Sequence, residues 1–128
     1  MIVLDTNIII DHLRQSPNRQ TYLKTLIKKF KEYNLAISII TIQEIYEGES
    51  TKERESEAKL LATISRLKIL PYTFEVAQLA GEIARDLGKP IDLADAAIAA
   101  TAIINGFQLF TLNKKHFEDI KGLEMIDL

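Results

Sequence analysis

The chain is predicted to fold as a three-layer α/β protein, with a mostly parallel sheet of four to five strands covered by helices on both faces. Three observations carry this prediction. Short runs rich in Ile, Val and Leu alternate along the whole chain with longer stretches of helical period. The apolar runs contain almost no polar residues, as strands buried on both faces require. Hydrophobic residues make up 47% of the 128, enough for one sheet-centred core but not for two domains, so a single domain over residues 1–128 is expected.

Taken in order, Ile2-Val3-Leu4 reads as the first strand, and Asp5-Thr6-Asn7 supplies capping side chains for a helix that holds Ile8 to Leu13. Ser16-Pro17 has the form of an N-cap followed by proline at the first helical position. Leu23, Leu26, Ile27 and Phe30 then recur at helical spacing, which predicts a second helix ending near Asn34. Leu35 to Ile40 is apolar and β-branched, the pattern of a buried strand. Thr41-Ile42-Gln43-Glu44 has the spacing of a capping box and opens a helix that Gly48 ends. Alternating charge from Thr51 to Glu57 leads into Leu60, Leu61, Ile64 and Leu67, one apolar stripe on an exposed helix.

Lys68 to Leu70 is a brief strand closed by Pro71. Thr73 caps a helix carrying Val76, Leu79, Ala80, Ile83, Ala84 and Leu87, which Gly88 and Pro90 stop. Ile91-Asp92 enters an Ala-rich helix that Asn105-Gly106 terminates. Phe107 to Thr111 and Leu123 to Ile126 are the last strands. No repeat, low-complexity tract or linker interrupts the series.

Composition narrows the function classes. With 16 basic and 18 acidic residues the net charge is −2, so no general attraction to nucleic acid is built in and a simple coating protein is disfavoured. Cysteine is absent, which excludes disulfides, thiolate metal sites and a Cys nucleophile, and suits a cytoplasmic protein. The first residues have no basic region or apolar core of a signal peptide, and no apolar run reaches the roughly 18 residues of a membrane span. His12 and His116 are the only imidazoles, too few for a usual zinc site, and His12 reads as a helix-surface residue. Neither a Gly-rich phosphate loop nor a Gly-x-Ser-x-Gly elbow is present.

The informative residues are carboxylates placed just beyond strands, where ligand crevices form in parallel α/β sheets. Asp5 follows strand one, Glu44 lies in the first turn of the helix after strand two, and Asp92 and Asp95 open the helix before strand four. Three of the four also have a plain structural explanation. Asp5 serves equally as an N-cap or Asx-turn residue, Glu44 as the acid of a capping box, and Asp92 as the cap of its helix. Asp95 resists such an explanation, because a carboxylate entering a helix of Ala, Ile and Thr needs a partner or a cation. Converging carboxylates would repel one another unless a divalent cation neutralised them, and oxygen ligands alone suit Mg²⁺ or Mn²⁺. A phosphatase that begins strand-Asp-x-Asp is disfavoured, since Asn7 stands at the second position.

Four segments together resemble the PIN domains, and within them the VapC-type toxins of prokaryotic toxin–antitoxin pairs. They are Ile2 to Ile8 (IVLDTNI), Ile37 to Gly48 (ISIITIQEIYEG), Asp92 to Gly106 (DLADAAIAATAIING) and Leu109 to Leu123 (LFTLNKKHFEDIKGL), in the family's order and across nearly the whole chain. The resemblance implies a Mg²⁺-dependent ribonuclease, with Mn²⁺ as a substitute. Asp5, Glu44 and Asp95 become its catalytic and metal-binding acids, leaving Asp92 as cap or support. Thr6 and Thr111 match hydroxyl positions that can hold the carboxylates. Many PIN domains carry a fourth acid where Asn113 stands, a departure that puts a second ion in doubt. Lys114 and Lys115 can contact phosphates or serve as plain surface lysines. The resemblance further implies an RNA substrate, a homodimer and a cognate antitoxin. A PIN nuclease of RNA processing or decay, and a non-catalytic PIN binding module, are the rival readings.

Overall fold

The computed structural model describes residues 1–128. Four parallel strands, β1 (Ile2–Leu4), β2 (Leu35–Ser38), β3 (Lys68–Leu70) and β4 (Gln108–Phe110), form one sheet in the order β3-β2-β1-β4. The chain therefore starts in the middle, builds outward through β2 and β3, and crosses to the other side for β4. In register, Val3 lies between Ala36 and Leu109, and Leu4 pairs with Phe110. Strand order reverses beside β1, so the carboxyl ends of β1 and β4 bound the topological switch point, where such sheets open a ligand crevice.

Alternate strand residues feed the two helical layers, as the two-residue strand period demands. Ile2, Leu4, Leu35, Ile37 and Phe110 point to one face. There they pack with Ile8 and Ile9 of α1 (Thr6–Arg14), Leu23 and Leu26 of α2 (Tyr22–Phe30), Ile45 of α3 (Ile39–Glu47), and Leu60 and Ile64 of α4 (Arg54–Ile64). Val3, Ala36, Leu70 and Leu109 point to the other face, against α6 (Leu93–Asn105) and Phe117 of α7 (Lys114–Phe117). Helix α5 (Phe74–Asp86) lies on α6, where Val76 and Ala80 meet Ala96 and Ala100. The small residues let the two helices approach closely, and Ala96 to Ala102 are buried without a break. No helix is long and apolar enough to cross a membrane.

The three-layer α/β expectation is met, and several boundaries move for identifiable reasons. The second helix begins at Tyr22 rather than at Pro17. Thr21 is buried and caps it, accepting from the Lys24 N–H at 3.2 Å, whereas residues 16–20 offer no apolar side chain to bury. It ends at Phe30, and a separate 3₁₀ turn spans Glu32–Asn34. Strand β2 stops at Ser38, whose hydroxyl accepts from the Ile40 N–H at 3.1 Å, so α3 starts two residues early. Thr41 consequently sits inside the helix, and the capping box with Glu44 does not form. The expected last strand reduces to one parallel bridge, Leu109 with Met125, flanked by backbone bonds from Leu109 to Glu124 (2.8 Å) and from Ile126 to Leu109 (3.0 Å). The Thr73 cap and the Gly106 stop form as expected. Gly106 takes φ +69, a left-handed conformation that glycine adopts without steric cost.

Candidate active site

Asp5 lies at the switch point, 5% exposed, with its backbone N–H bonded to the Phe110 carbonyl at 3.0 Å. The backbone bond extends the β1–β4 pairing by one residue and so fixes the Cα. Its carboxylate is held at both oxygens. Oδ1 accepts from the Thr6 N–H at 2.8 Å, and Oδ2 accepts from the Thr111 hydroxyl at 2.7 Å. The N-cap explanation is thus correct for one oxygen and silent about the other. Thr111, 3% exposed just past β4, also accepts from the Asn113 N–H at 3.0 Å, which ties the loop after β4 to the same carboxylate.

Glu44 is bound to this group through a hydroxyl relay. The Thr6 hydroxyl donates to Glu44 Oε1 at 2.5 Å and lies 2.9 Å from the Thr41 hydroxyl. A hydroxyl has one proton, so Thr41 must donate to Thr6 while Thr6 donates to Glu44. Thr41 is fully buried, which makes this arrangement rigid on that side. The residue that looked like half of a capping box is instead the root of the relay.

Asp95 stands one turn inside α6 with a side chain 15% exposed, and its partner is His116, Nδ1 to Oδ2 at 3.2 Å. Asp92 occupies the N-cap position of α6, but its carboxylate makes no capping bond and remains exposed. It lines a cleft of about 230 Å³ together with Asp95, Lys89, Lys115 and His116. Asn113 is exposed, and Lys114 is paired with Asp127, so of the two adjacent lysines only Lys115 lacks a carboxylate partner. His12 lies on α1, partly exposed, and its Nδ1 is 2.8 Å from the Thr21 hydroxyl.

The three acids influence one another. Burial raises the Asp5 pKa, and the bonds from Thr111 and Thr6 restrain the rise. Burial also raises that of Glu44, opposed by the Thr6 hydroxyl and reinforced by the charge on Asp5. Asp95 is pushed from 3.8 up to about 6, first by burial and then by Asp5, with His116 acting in the opposite direction. A site that withdraws carboxylates from water and faces them toward one another is short of positive charge. His116 is the one basic side chain that eases both Asp5 and Asp95. Sequence reasoning missed it. The only available signal was its place in the segment after β4, immediately before the buried Phe117.

A parallel α/β sheet with carboxylates grouped around its switch point defines the class: an α/β protein with an acidic crevice. The family model for the PIN domain matches residues 2–123, and the chain belongs to the PIN-domain family. It is 35% identical over 127 residues to ribonuclease VapC10 of Mycobacterium tuberculosis, covering 97% of this chain and 91% of that protein. Ribonuclease VapC1 of Rickettsia felis is 36% identical over an aligned 134 residues, covering 98% and 94% respectively. Among solved structures, the crystal structure of VapBC2 from Rickettsia felis bound to a DNA fragment from their promoter matches with a TM-score of 0.82. The sequence identity there is 30%, and 98% of each chain is covered.

Proposed function

We propose that this chain is a Mg²⁺-dependent endoribonuclease, with Mn²⁺ as a working substitute, and the toxin of a toxin–antitoxin pair. The observation that carries the reading is the set of three acids at the switch point, two of them fixed by threonine hydroxyls, with only one imidazole to offset them. The donor set, the carboxylates of Asp5, Glu44 and Asp95, is hard oxygen throughout. No three acidic or imidazole side chains are drawn together tightly enough to cage an ion by themselves. Few protein ligands with several retained waters is the pattern that Mg²⁺ favours, so the residues fit that ion.

In this reading Asp5 and Asp95 hold the cation, and Glu44 reaches it through water or orients the attacking water. When bound, the cation polarises the phosphoryl group and acidifies a water for in-line attack. The chain's own contribution is positioning. Thr6 N–H and Thr111 fix the Asp5 carboxylate, the Thr41–Thr6 relay fixes Glu44, and His116 fixes Asp95. Asn113 adds no charge, so one ion is assigned rather than two. The chain acts as one domain in the cytoplasm and as a homodimer, and a cognate antitoxin restrains it. The Rickettsia relative, itself a VapBC complex, supports the antitoxin.

The test compares wild type with Asp5→Asn and Asp95→Asn on structured RNA, with Mg²⁺, with Mn²⁺ and with a chelator. Cleavage by wild type alone, lost on chelation, is expected. Equal cleavage by wild type and variants, or cleavage that survives chelation, sinks the metal-site reading. Growth arrest on induction that both substitutions relieve is the outcome expected of a toxin, and an adjoining small antitoxin gene is its genomic counterpart.

A further inference from the structure

A cavity of about 580 Å³ opens beside the acids, and the chemistry above makes no use of it. Its walls include Tyr22, Phe110, Thr111, Asn113, Lys115 and His116. Two of these walls belong also to the acid site, since Thr111 holds Asp5 and His116 holds Asp95. A molecule seated in the cavity therefore meets the two side chains that hold Asp5 and Asp95, one residue removed from the carboxylates themselves.

Besides Leu112, Leu128 and the mutually paired Lys114 and Asp127, the cavity offers a ligand three kinds of side chain. Tyr22 begins α2 between the buried Thr21 and Leu23, yet it is itself 44% exposed. Its ring leans on Phe110, with centroids 6.3 Å apart and planes tilted by 41°, so it is braced on one side and open on the other. Asn113 has its backbone N–H engaged by Thr111, while its side-chain amide makes no hydrogen bond within the protein and faces solvent. Lys115 is the cation without a carboxylate partner. Its own carbonyl accepts from Lys89 Nζ at 3.1 Å, which secures the segment that carries it. A braced aromatic face, a free amide and an unpaired ammonium are the elements that bind one unstacked nucleotide through base, base edge and phosphate. A base inside a duplex has no free face to offer such a ring.

We propose that this cavity is a nucleotide subsite for single-stranded RNA, in which the base next to the scissile phosphate stacks on Tyr22, Asn113 meets its edge, and Lys115 holds its phosphate. The choice of ligand rests on the ribonuclease reading and specifies the form of RNA that the site takes.

The test measures binding separately from cleavage. Fluorescence anisotropy of a labelled short single-stranded RNA, in chelator at low salt, is recorded for wild type, Tyr22→Leu and Tyr22→Phe. The RNA is used intact and with an abasic nucleotide moved along it. Tyr22→Leu is expected to bind the intact RNA about tenfold or more weakly, and Tyr22→Phe close to wild type. At one position the abasic nucleotide should weaken wild type by a similar factor and leave Tyr22→Leu unaffected. Far-ultraviolet circular dichroism checks that each variant is folded. With Mg²⁺ present, the loss in Tyr22→Leu should fall mainly on KM rather than kcat. Equal binding by wild type and Tyr22→Leu, or indifference of wild type to the abasic nucleotide at every position, overturns the subsite. If wild type shows the stacking pattern but cleaves nothing with either metal, the subsite stands and the ribonuclease reading falls.

Discussion

Replacing Asp95 by Asn should make the metal-free protein more stable at neutral pH, although it removes a residue assigned to the centre of the site. Asp95 keeps its proton to about pH 6 in the folded chain, against 3.8 ordinarily, because it is buried and faces Asp5. Above pH 6 the folded state must hold an ionised carboxylate that the unfolded chain leaves in water. A carboxylate so displaced corresponds to at most about 3 kcal/mol at 1.36 kcal/mol per pH unit. Water still reaches a side chain that is 15% exposed, and the effect is shared with Asp5, which brings the expected gain for Asp95→Asn to about 1–2 kcal/mol. Between about pH 4 and 6 the unfolded chain has lost a proton that the folded chain keeps, so wild-type stability falls as pH rises through that window. Asp5 and Glu44, also raised, add to the fall in the same direction. Urea denaturation in chelator at pH 3.5, 5 and 7.5 should therefore show the variant level with wild type at the lowest pH and ahead of it at the highest. Adding Mg²⁺ or Mn²⁺ should stabilise wild type and reduce the difference. A variant no more stable than wild type at pH 7.5 in chelator would refute the claim that this site carries uncompensated negative charge.

Two further substitutions test how the acids are positioned. Thr6→Val keeps the side-chain shape but cuts the relay to Glu44 and strands the buried Thr41 hydroxyl. Metal-dependent cleavage should fall about tenfold and stability by about 1–2 kcal/mol in urea, with Thr6→Ser restoring both. A Thr6→Val protein of undiminished activity would show that Glu44 needs no such support. Phe117→Ala empties a site that is 1% exposed and anchors the four-residue helix carrying His116. It should cost about 3–5 kcal/mol by urea denaturation and release His116 from Asp95, visible as a changed imidazole environment by NMR. A cost below about 1 kcal/mol would mean that α7 is held by something other than this ring.

Much of this arrangement was legible along the chain. The short Ile, Val and Leu runs specified β1 and β2 as strands buried on both faces, although Lys68 and Ile69 of the edge strand β3 stay exposed, and the residue alternation that splits Ile2 and Leu4 from Val3 is a direct consequence of strand period. Local chemistry also fixed the Thr73 cap and the Gly106 stop, because such signals act over one helical turn. The same locality explains the misplacements. Ser16-Pro17 and Thr41-Glu44 are credible helix starts in sequence, but Thr21 and Ser38 were better placed to cap once the apolar stripes had docked on the sheet.

Tertiary structure alone decided the rest. No short-range pattern says that β4 lies beside β1, yet that crossing creates the switch point and brings Thr111 to Asp5 across 106 positions of sequence. Glu44 changes from the acid of a cap to the end of a hydroxyl relay through Thr6, 38 positions away. His116 becomes the partner of Asp95, and Asp127 neutralises Lys114 but not Lys115. Sequence determined which residues are acidic, where each follows its strand, and what layers bury the strands, since propensity and period act between near neighbours. Strand order determined which acids meet and what offsets their charge, since those interactions operate through space between segments that only the packed sheet brings together.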